Sequence, residues 1–246
     1  MPTLYLSPST QEYNLYEGGG NEEEYMNLVA DAMEPYLSAS GIQFMRNNPD
    51  ERVGAAIRQS NAGNYDLHLA LHSNAAPESL AGALQGTDVY YSRGSANGQR
   101  AADIIAANFK EIYPQPDLVK AVPTSALTEV MQTRAPAVLI ETANHDNPED
   151  AEWIRTHVPE IARNLAQSVA EYFGIPFVEP REPRNGTVVT EGGNLNIRTR
   201  PDAASAPAGV IPNGATVQVR GRTGDWYVVY YRGIVGYAYA PYIQLE

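Results

Sequence analysis

The chain has 246 residues, no cysteine and a formal net charge of −12. That length allows one large domain and a small one, and the lack of cysteine excludes disulfides, thiol catalysis and cysteine–metal sites. The acidic balance argues against nucleic acid as a partner, and no run approaches the roughly 18 consecutive apolar residues of a membrane span.

The opening MPTLYLSPST has neither the basic start nor the apolar core of a signal peptide, so no leader is expected within it. Leu4–Leu6 is the first predicted strand. Asn21, with Glu24 three residues on, has the spacing of a capping box and starts a helix. Tyr25, Leu28, Val29, Ala32, Met33, Tyr36 and Leu37 recur at helical spacing and predict its buried face. Gly41 ends that helix, and Ile42–Arg46 follows as a strand. Residues 51–62, 97–112 and 148–173 read as helices, and Leu67–His72, Thr87–Tyr91 and Ala137–Glu141 as strands. This alternation predicts an α/β domain over residues 1–175, a mainly parallel sheet with helices on both faces.

Residues 176–186, PFVEPREPRNG, alternate proline with charge and predict an extended linker. The charge changes sign here: residues 1–180 hold 24 acidic and 10 basic side chains, residues 181–246 hold 5 and 7. Short apolar segments then follow at Asn194–Arg198, Thr216–Arg222, Trp226–Tyr231 and Ile234–Tyr239, separated by Gly, Pro, Asn and Asp. They predict a small all-β barrel over residues 187–246.

The sharpest chemical signal is the segment Asp66-Leu-His-Leu-Ala-Leu-His-Ser-Asn-Ala75. A histidine at the C-terminal end of a strand projects into the crevice where open α/β sheets bind ligands, and imidazole is a common zinc ligand. His72 is therefore a candidate metal ligand; the alternative is a histidine satisfied by local hydrogen bonds. His68 lies four residues earlier, roughly 13 Å away along an extended strand, too far to share a metal with His72. It is expected to be buried or to support the site. Among Glu22, Glu23 and Glu24, acids of a helix's first turn that suit its dipole, one is a possible ligand. Glu141 ends an apolar strand, where glutamate is rare. It reads either as a general base and acid beside a metal-activated water or as the partner of Arg46, Arg58 or Arg134.

Taken in order, these residues resemble the zinc-dependent N-acetylmuramoyl-L-alanine amidases of the Amidase_3 family. The features are a first strand, a glutamate leading into a helix with Asn27-Leu28, the strand end His72-Ser73-Asn74-Ala75, and Pro136-Ala-Val-Leu-Ile-Glu141 followed by Asn147-Pro148. The resemblance covers about residues 3–174. It implies zinc held by Glu23, four residues before Asn27, and by His72, with Glu141 as the catalytic glutamate and Asn74 touching substrate. The family's first strand normally ends Asp-Pro-Gly-His-Gly-Gly, and its histidine position falls on Thr10 in Ser7-Pro8-Ser9-Thr10-Gln11-Glu12. The third ligand is therefore expected to be Gln11, ahead of Glu12 and His145; the Ser-Pro-Ser-x-Gln start is similar to that of one branch of the family.

The C-terminal segment resembles a bacterial SH3-like (SH3b) domain through Leu195-Asn-Ile-Arg-Thr-Arg-Pro201, Gly224-Asp-Trp-Tyr-Val-Val229 and Gly236-Tyr-Ala-Tyr-Ala-Pro-Tyr242. Trp226, within an apolar strand, reads as core. Tyr237, Tyr239 and Tyr242 are the expected contact residues, because tyrosine offers a flat apolar face with a polar tip. Together the resemblances imply hydrolysis of the amide between N-acetylmuramic acid and L-alanine, peptidoglycan as partner, a monomer, and action outside the cell or in the wall. Competing readings are a degenerate amidase that binds wall fragments without cutting them, and a zinc peptidase acting on stem peptides.

Overall fold

A computed structural model describes residues 1–246. The chain forms two compact units. One comprises Thr3–Met33 and Phe44–Tyr172; the other comprises Met1–Pro2, Glu34–Gln43 and Phe173–Glu246.

The first unit is α/β. Its sheet contains β1 (Thr3–Pro8), β2 (Gln43–Arg46), β3 (Leu67–Asn74), β4 (Thr87–Ser92), β5 (Val119–Thr124) and β6 (Ala137–Asn144), in the order β2-β1-β3-β6-β4-β5. The runs Leu4–Leu6, Leu67–Leu71 and Val138–Ile140 are buried at successive positions. Strands covered on both faces behave this way, which fits the parallel pairing of β1 with β3 and of β3 with β6. β4 pairs parallel with β5 but antiparallel with β6, so the sheet is mainly parallel with one reversal. The helices are α1 (Glu22–Ala39), α2 (Val53–Ala62), α3 (Ala96–Phe109), α4 (Thr128–Gln132) and α5 (Pro148–Phe173). The expected 148–173 helix bends at His157, whose backbone is non-helical (φ −117°, ψ 18°). Pro159 follows it, lacks an amide hydrogen and crowds the preceding turn.

Helix α1 begins where the capping signal placed it: the Glu24 amide donates to Asn21 Oδ1 at 2.9 Å. Its buried stripe, however, is Met26, Val29, Ala30, Met33 and Leu37, while Leu28 is exposed. The expected face through Tyr25 and Leu28 is rotated by one position. Fully burying a Met, Val or Leu side chain is worth about 1.5–3 kcal/mol, so this stripe sets the rotation of the helix. It also selects Glu22, four residues before Met26, as the first-turn acid that turns inward; Glu22 is 1% exposed.

The second unit is an antiparallel β barrel. Its strands are β7 (Arg184–Val188), β8 (Leu195–Arg198), β9 (Pro207–Ile211), β10 (Thr216–Thr223), β11 (Trp226–Tyr231), β12 (Ile234–Tyr239) and β13 (Ile243–Leu245). They are ordered β13-β7-β10-β11-β12-β8-β9 around a core that includes Val188, Ile197, Ile211, Val217 and Val229. A two-residue turn, Arg232-Gly233, joins β11 to β12 with φ of 48° and 84°, the positive values a tight hairpin turn requires. The proline-rich stretch 176–186 carries no regular secondary structure before Arg184, where β7 begins, and it is anchored within this unit. Phe177 stacks on Tyr36 (5.6 Å between centroids), and the Val178 amide donates to Ser40 Oγ at 2.9 Å. Val178 is buried there and Phe177 half-buried.

Candidate active site

Parallel pairing brings the ends of β3 and β6 side by side, with His72 in register with Glu141. This is the carboxyl end of the sheet, where α/β folds open their crevice. Three further elements converge on His72. The loop after β1 supplies Gln11, the first turn of α1 supplies Glu22, and α4 supplies Glu129.

The imidazole lies between two carboxylates. His72 Nδ1 is 2.8 Å from Glu22 Oε1, and His72 Nε2 is 3.4 Å from Glu129 Oε2. Burial by itself lowers the His72 pKa, but the hydrogen bonds to Glu129 and Glu22 and their charges outweigh it, so the pKa stands well above the ordinary value. Glu22 is pushed the other way. Burial opposes its ionisation, yet hydrogen bonds from His72, Asn14 and Ser9 hold its pKa below the usual range.

Gln11 completes a triangle. Its Nε2 is 3.2 Å from His72 Nδ1 and 3.4 Å from Glu22 Oε1, and the Tyr13 hydroxyl donates to its Oε1 at 2.9 Å. With the 2.8 Å between Nδ1 and Glu22 Oε1, the triangle has edges of 2.8–3.4 Å. A tetrahedral zinc with bonds of about 2.0–2.1 Å separates its ligands by about 3.3–3.4 Å. A half-turn of the amide would present oxygen in place of nitrogen, and Tyr13 can accept as well as donate. No three His, Asp or Glu side chains gather as a metal site. The groups that could approach one metal ion here are one imidazole, one carboxylate and one amide, a weaker set than three strong donors because an amide is a poor donor for zinc.

Glu141 stands apart from this hydrogen-bonded set. Its Oε2 is buried without a partner. Burial raises its pKa to about 7, with the charges of Glu22 and Asp88 adding to the rise and that of His72 opposing it. A carboxyl group held near neutrality with a free lone pair is equipped to take and return a proton.

The other expected site residues lie elsewhere. Glu23 accepts from Asn27 Nδ2 at 3.1 Å; burial and the neighbouring acids Glu12, Glu24 and Asp50 raise its pKa. It faces along α1, and the contact to His72 belongs to Glu22. Glu12 is exposed. His145 is buried, with Nδ1 3.0 Å from both Ser73 Oγ and Ser73 O and its ring stacked on Tyr16. Asn74 ends β3, and its Oδ1 accepts from the Ala75 amide at 2.9 Å. Sequence reading missed Glu129, 4% exposed on a five-residue helix too short to leave a periodic signal. A cleft of about 430 Å³ runs beside these groups, lined by Ser9, Gln11, Arg52, His72, Leu127 and Glu129 among others.

In the barrel, Trp226, Tyr239 and Tyr242 form a line of edge-on rings, 5.5 and 5.7 Å between centroids. They line a groove of about 740 Å³ together with Glu191, Asn194, Asn196 and Arg198. Tyr237 does not belong to it: it is fully buried, and its hydroxyl donates to Ser40 O at 2.8 Å. The strand around Tyr237 is covered on both faces, which alternation along the sequence did not reveal. Trp226 packs partly on Val228, Val235 and Tyr237, as a core residue would, and also lines the groove.

Comparison with known proteins agrees with this architecture. Residues 10–171 match the family described as N-acetylmuramoyl-L-alanine amidase, and residues 193–244 match the bacterial SH3 domain. No curated protein sequence matches the chain. Among solved structures, the N-acetylmuramoyl-L-alanine amidase AmiC2 of Nostoc punctiforme is similar, with 15% identity and a TM-score of 0.61. The match covers 70% of this chain and 97% of that one. Ami1 of Mycobacterium smegmatis matches at 16% identity and a TM-score of 0.61, over 70% and 97% of the two chains. The catalytic domain of CwlV from Bacillus (Paenibacillus) polymyxa matches at 16% and 0.58, over 72% and 100%.

Proposed function

Because the chain belongs to the N-acetylmuramoyl-L-alanine amidase family, we propose that the cleft beside His72 is a zinc-dependent active site. It hydrolyses the amide between N-acetylmuramic acid and the L-alanine of the stem peptide, and the barrel holds the enzyme on peptidoglycan, outside the cell or in the wall. Glu141 carries the reading: a buried carboxylate with an unpartnered oxygen, its pKa raised to about 7. A protein that only bound wall fragments would gain nothing from that arrangement, because an unpaired buried carboxylate costs stability.

His72, Glu22 and Gln11 are the residues that would hold the metal. When bound, zinc supplies Lewis acidity, drawing electrons from the scissile carbonyl and easing ionisation of water. Glu141 does the proton work. It takes the proton from the water whose oxygen bonds to the carbonyl carbon. As the C–N bond breaks, it delivers that proton to the departing alanine nitrogen, which leaves as a free amine. Such acid–base work typically contributes about 10²–10⁴-fold. In the barrel, Trp226, Tyr239 and Tyr242 offer flat faces and Asn194 and Asn196 offer amides, a set suited to sugar or peptide in the wall.

The test is to incubate purified peptidoglycan with the full chain, zinc-loaded or treated with chelator, and to assay new amino termini. Free L-alanine amino termini from the zinc-loaded protein alone support the reading. Binding to the wall without new termini would establish the degenerate binder. Termini of other residues would establish a peptidase.

A further inference from the structure

Glu129 belongs to none of the roles assigned so far, yet it is a buried carboxylate in hydrogen-bond contact with His72. A buried charge is retained at a cost of several kcal/mol unless it is fully paired, and Glu129 is paired at both oxygens. Ser7 Oγ donates to Oε1 at 2.6 Å, and His68 Nε2 stands 3.0 Å from the same atom. His68 is itself fixed: its Nδ1 is 3.0 Å from Ser60 Oγ, and its ring stacks on Tyr5 at 5.2 Å. Ser60, His68 and Ser7 are all buried, so this chain of contacts is shielded from water. The remaining oxygen, Oε2, meets His72 Nε2.

The two nitrogens of His72 are thereby divided. Nε2 faces Glu129, and Nδ1 faces Glu22 and Gln11. A metal-binding histidine commonly donates its second ring N–H to a carboxylate, which fixes both the tautomer and the ring's orientation. We propose that Glu129, anchored by His68 and Ser7, is a positioning residue that holds His72 by Nε2–H so that Nδ1 is the nitrogen presented to zinc. The proposal rests on the zinc-site reading above. It also gives His68 a purpose: a histidine about 13 Å from the metal-side histidine along the strand acts on it through one intervening carboxylate.

The test uses the full chain with ¹⁵N-labelled histidine. In the wild type, NMR should find His72 Nε2 protonated both before and after zinc is added, with Nδ1 the nitrogen whose signal zinc shifts. Glu129→Gln keeps the shape of the side chain but turns one oxygen into a donor. It should bind zinc about 10–100-fold more weakly, the usual effect of losing such a partner, and should lose the fixed Nε2–H signal. Ser7→Ala, a milder change, should weaken zinc binding in the same direction by a smaller factor. Zinc on Nε2 in the wild type, or zinc affinity in Glu129→Gln equal to wild type with an unchanged His72 spectrum, would overturn the proposal. If Glu129→Gln does not fold, the wild-type spectrum and Ser7→Ala decide. A wild type that takes up no zinc would refute the metal reading instead, and its Nε2 proton would still decide whether Glu129 holds His72.

Discussion

The cleft of the α/β unit and the groove of the barrel solve the problem of recognition by opposite means. Around His72, beside the cleft, the α/β unit gathers groups that water would normally keep apart: Glu22 and Glu129 each hydrogen-bond His72 with little exposure, and Glu141, in register with His72, keeps an oxygen without a partner. The groove relies on rings that stay partly wet; Tyr239 is 37% and Tyr242 43% exposed. Chemistry needs perturbed groups in fixed geometry, whereas attachment needs contact area at little cost to the fold. Substitutions should therefore behave differently in the two places.

Glu141→Gln is expected to have the largest effect. It should lower turnover on soluble muropeptides about 10²–10⁴-fold while leaving zinc content unchanged, both measured on the purified full chain. A variant that keeps more than half the turnover would remove Glu141 from the mechanism.

Next comes a matched pair on α1. Glu22→Gln should weaken zinc binding by about tenfold or more, because it replaces the carboxylate at His72 with an amide, a poor donor for zinc. Glu23→Gln should leave zinc affinity within about twofold. Competition with a chromogenic chelator reads both, and the reverse ranking would restore the expectation drawn from sequence.

In the barrel the expected changes are smaller. Tyr239→Ala and Tyr242→Ala should each reduce pull-down on purified wall by a few fold, the loss of about 0.5–1.5 kcal/mol for an aromatic contact, without moving the melting temperature. Tyr237→Phe should do the opposite. It removes the hydroxyl bond to Ser40, worth about 1 kcal/mol, and should lower the melting temperature while wall binding stays intact.

A separate effect is on stability and depends on pH. The Glu141 pKa is raised from 4.5 to about 7 in the folded, metal-free protein. Below pH 4.5 the group is neutral whether the chain is folded or not and costs nothing. As pH rises towards 7 the unfolded chain ionises while the folded one resists, so stability falls. Metal-free Glu141→Gln should therefore melt a few degrees above wild type at pH 8 and near it at pH 4, by calorimetry.

Much of this was legible beforehand. His72 and Glu141 are readable because apolar strands deliver them to the same end of a sheet, and the family resemblance rests on those two strands. The nearness of Gln11 to His72 was reachable from its place after β1. That Glu22 rather than Glu23 contacts His72 is a matter of helical phase: the first turn offers three glutamates, and only the buried stripe Met26–Val29–Met33 decides which turns inward. Glu129 was invisible because its helix is a single turn joined to the site only through space. Tyr237 misled because a strand covered on both faces reads, residue by residue, like one with a wet side.

The most direct test of the account is an anomalous difference map at the zinc edge from crystals of the full chain. One peak is expected within about 2.3 Å of both His72 Nδ1 and Glu22, with the Gln11 side chain against it and Glu129 still on Nε2. A peak on the Nε2 side of His72, a peak at Glu23, or no peak after soaking in zinc would contradict it.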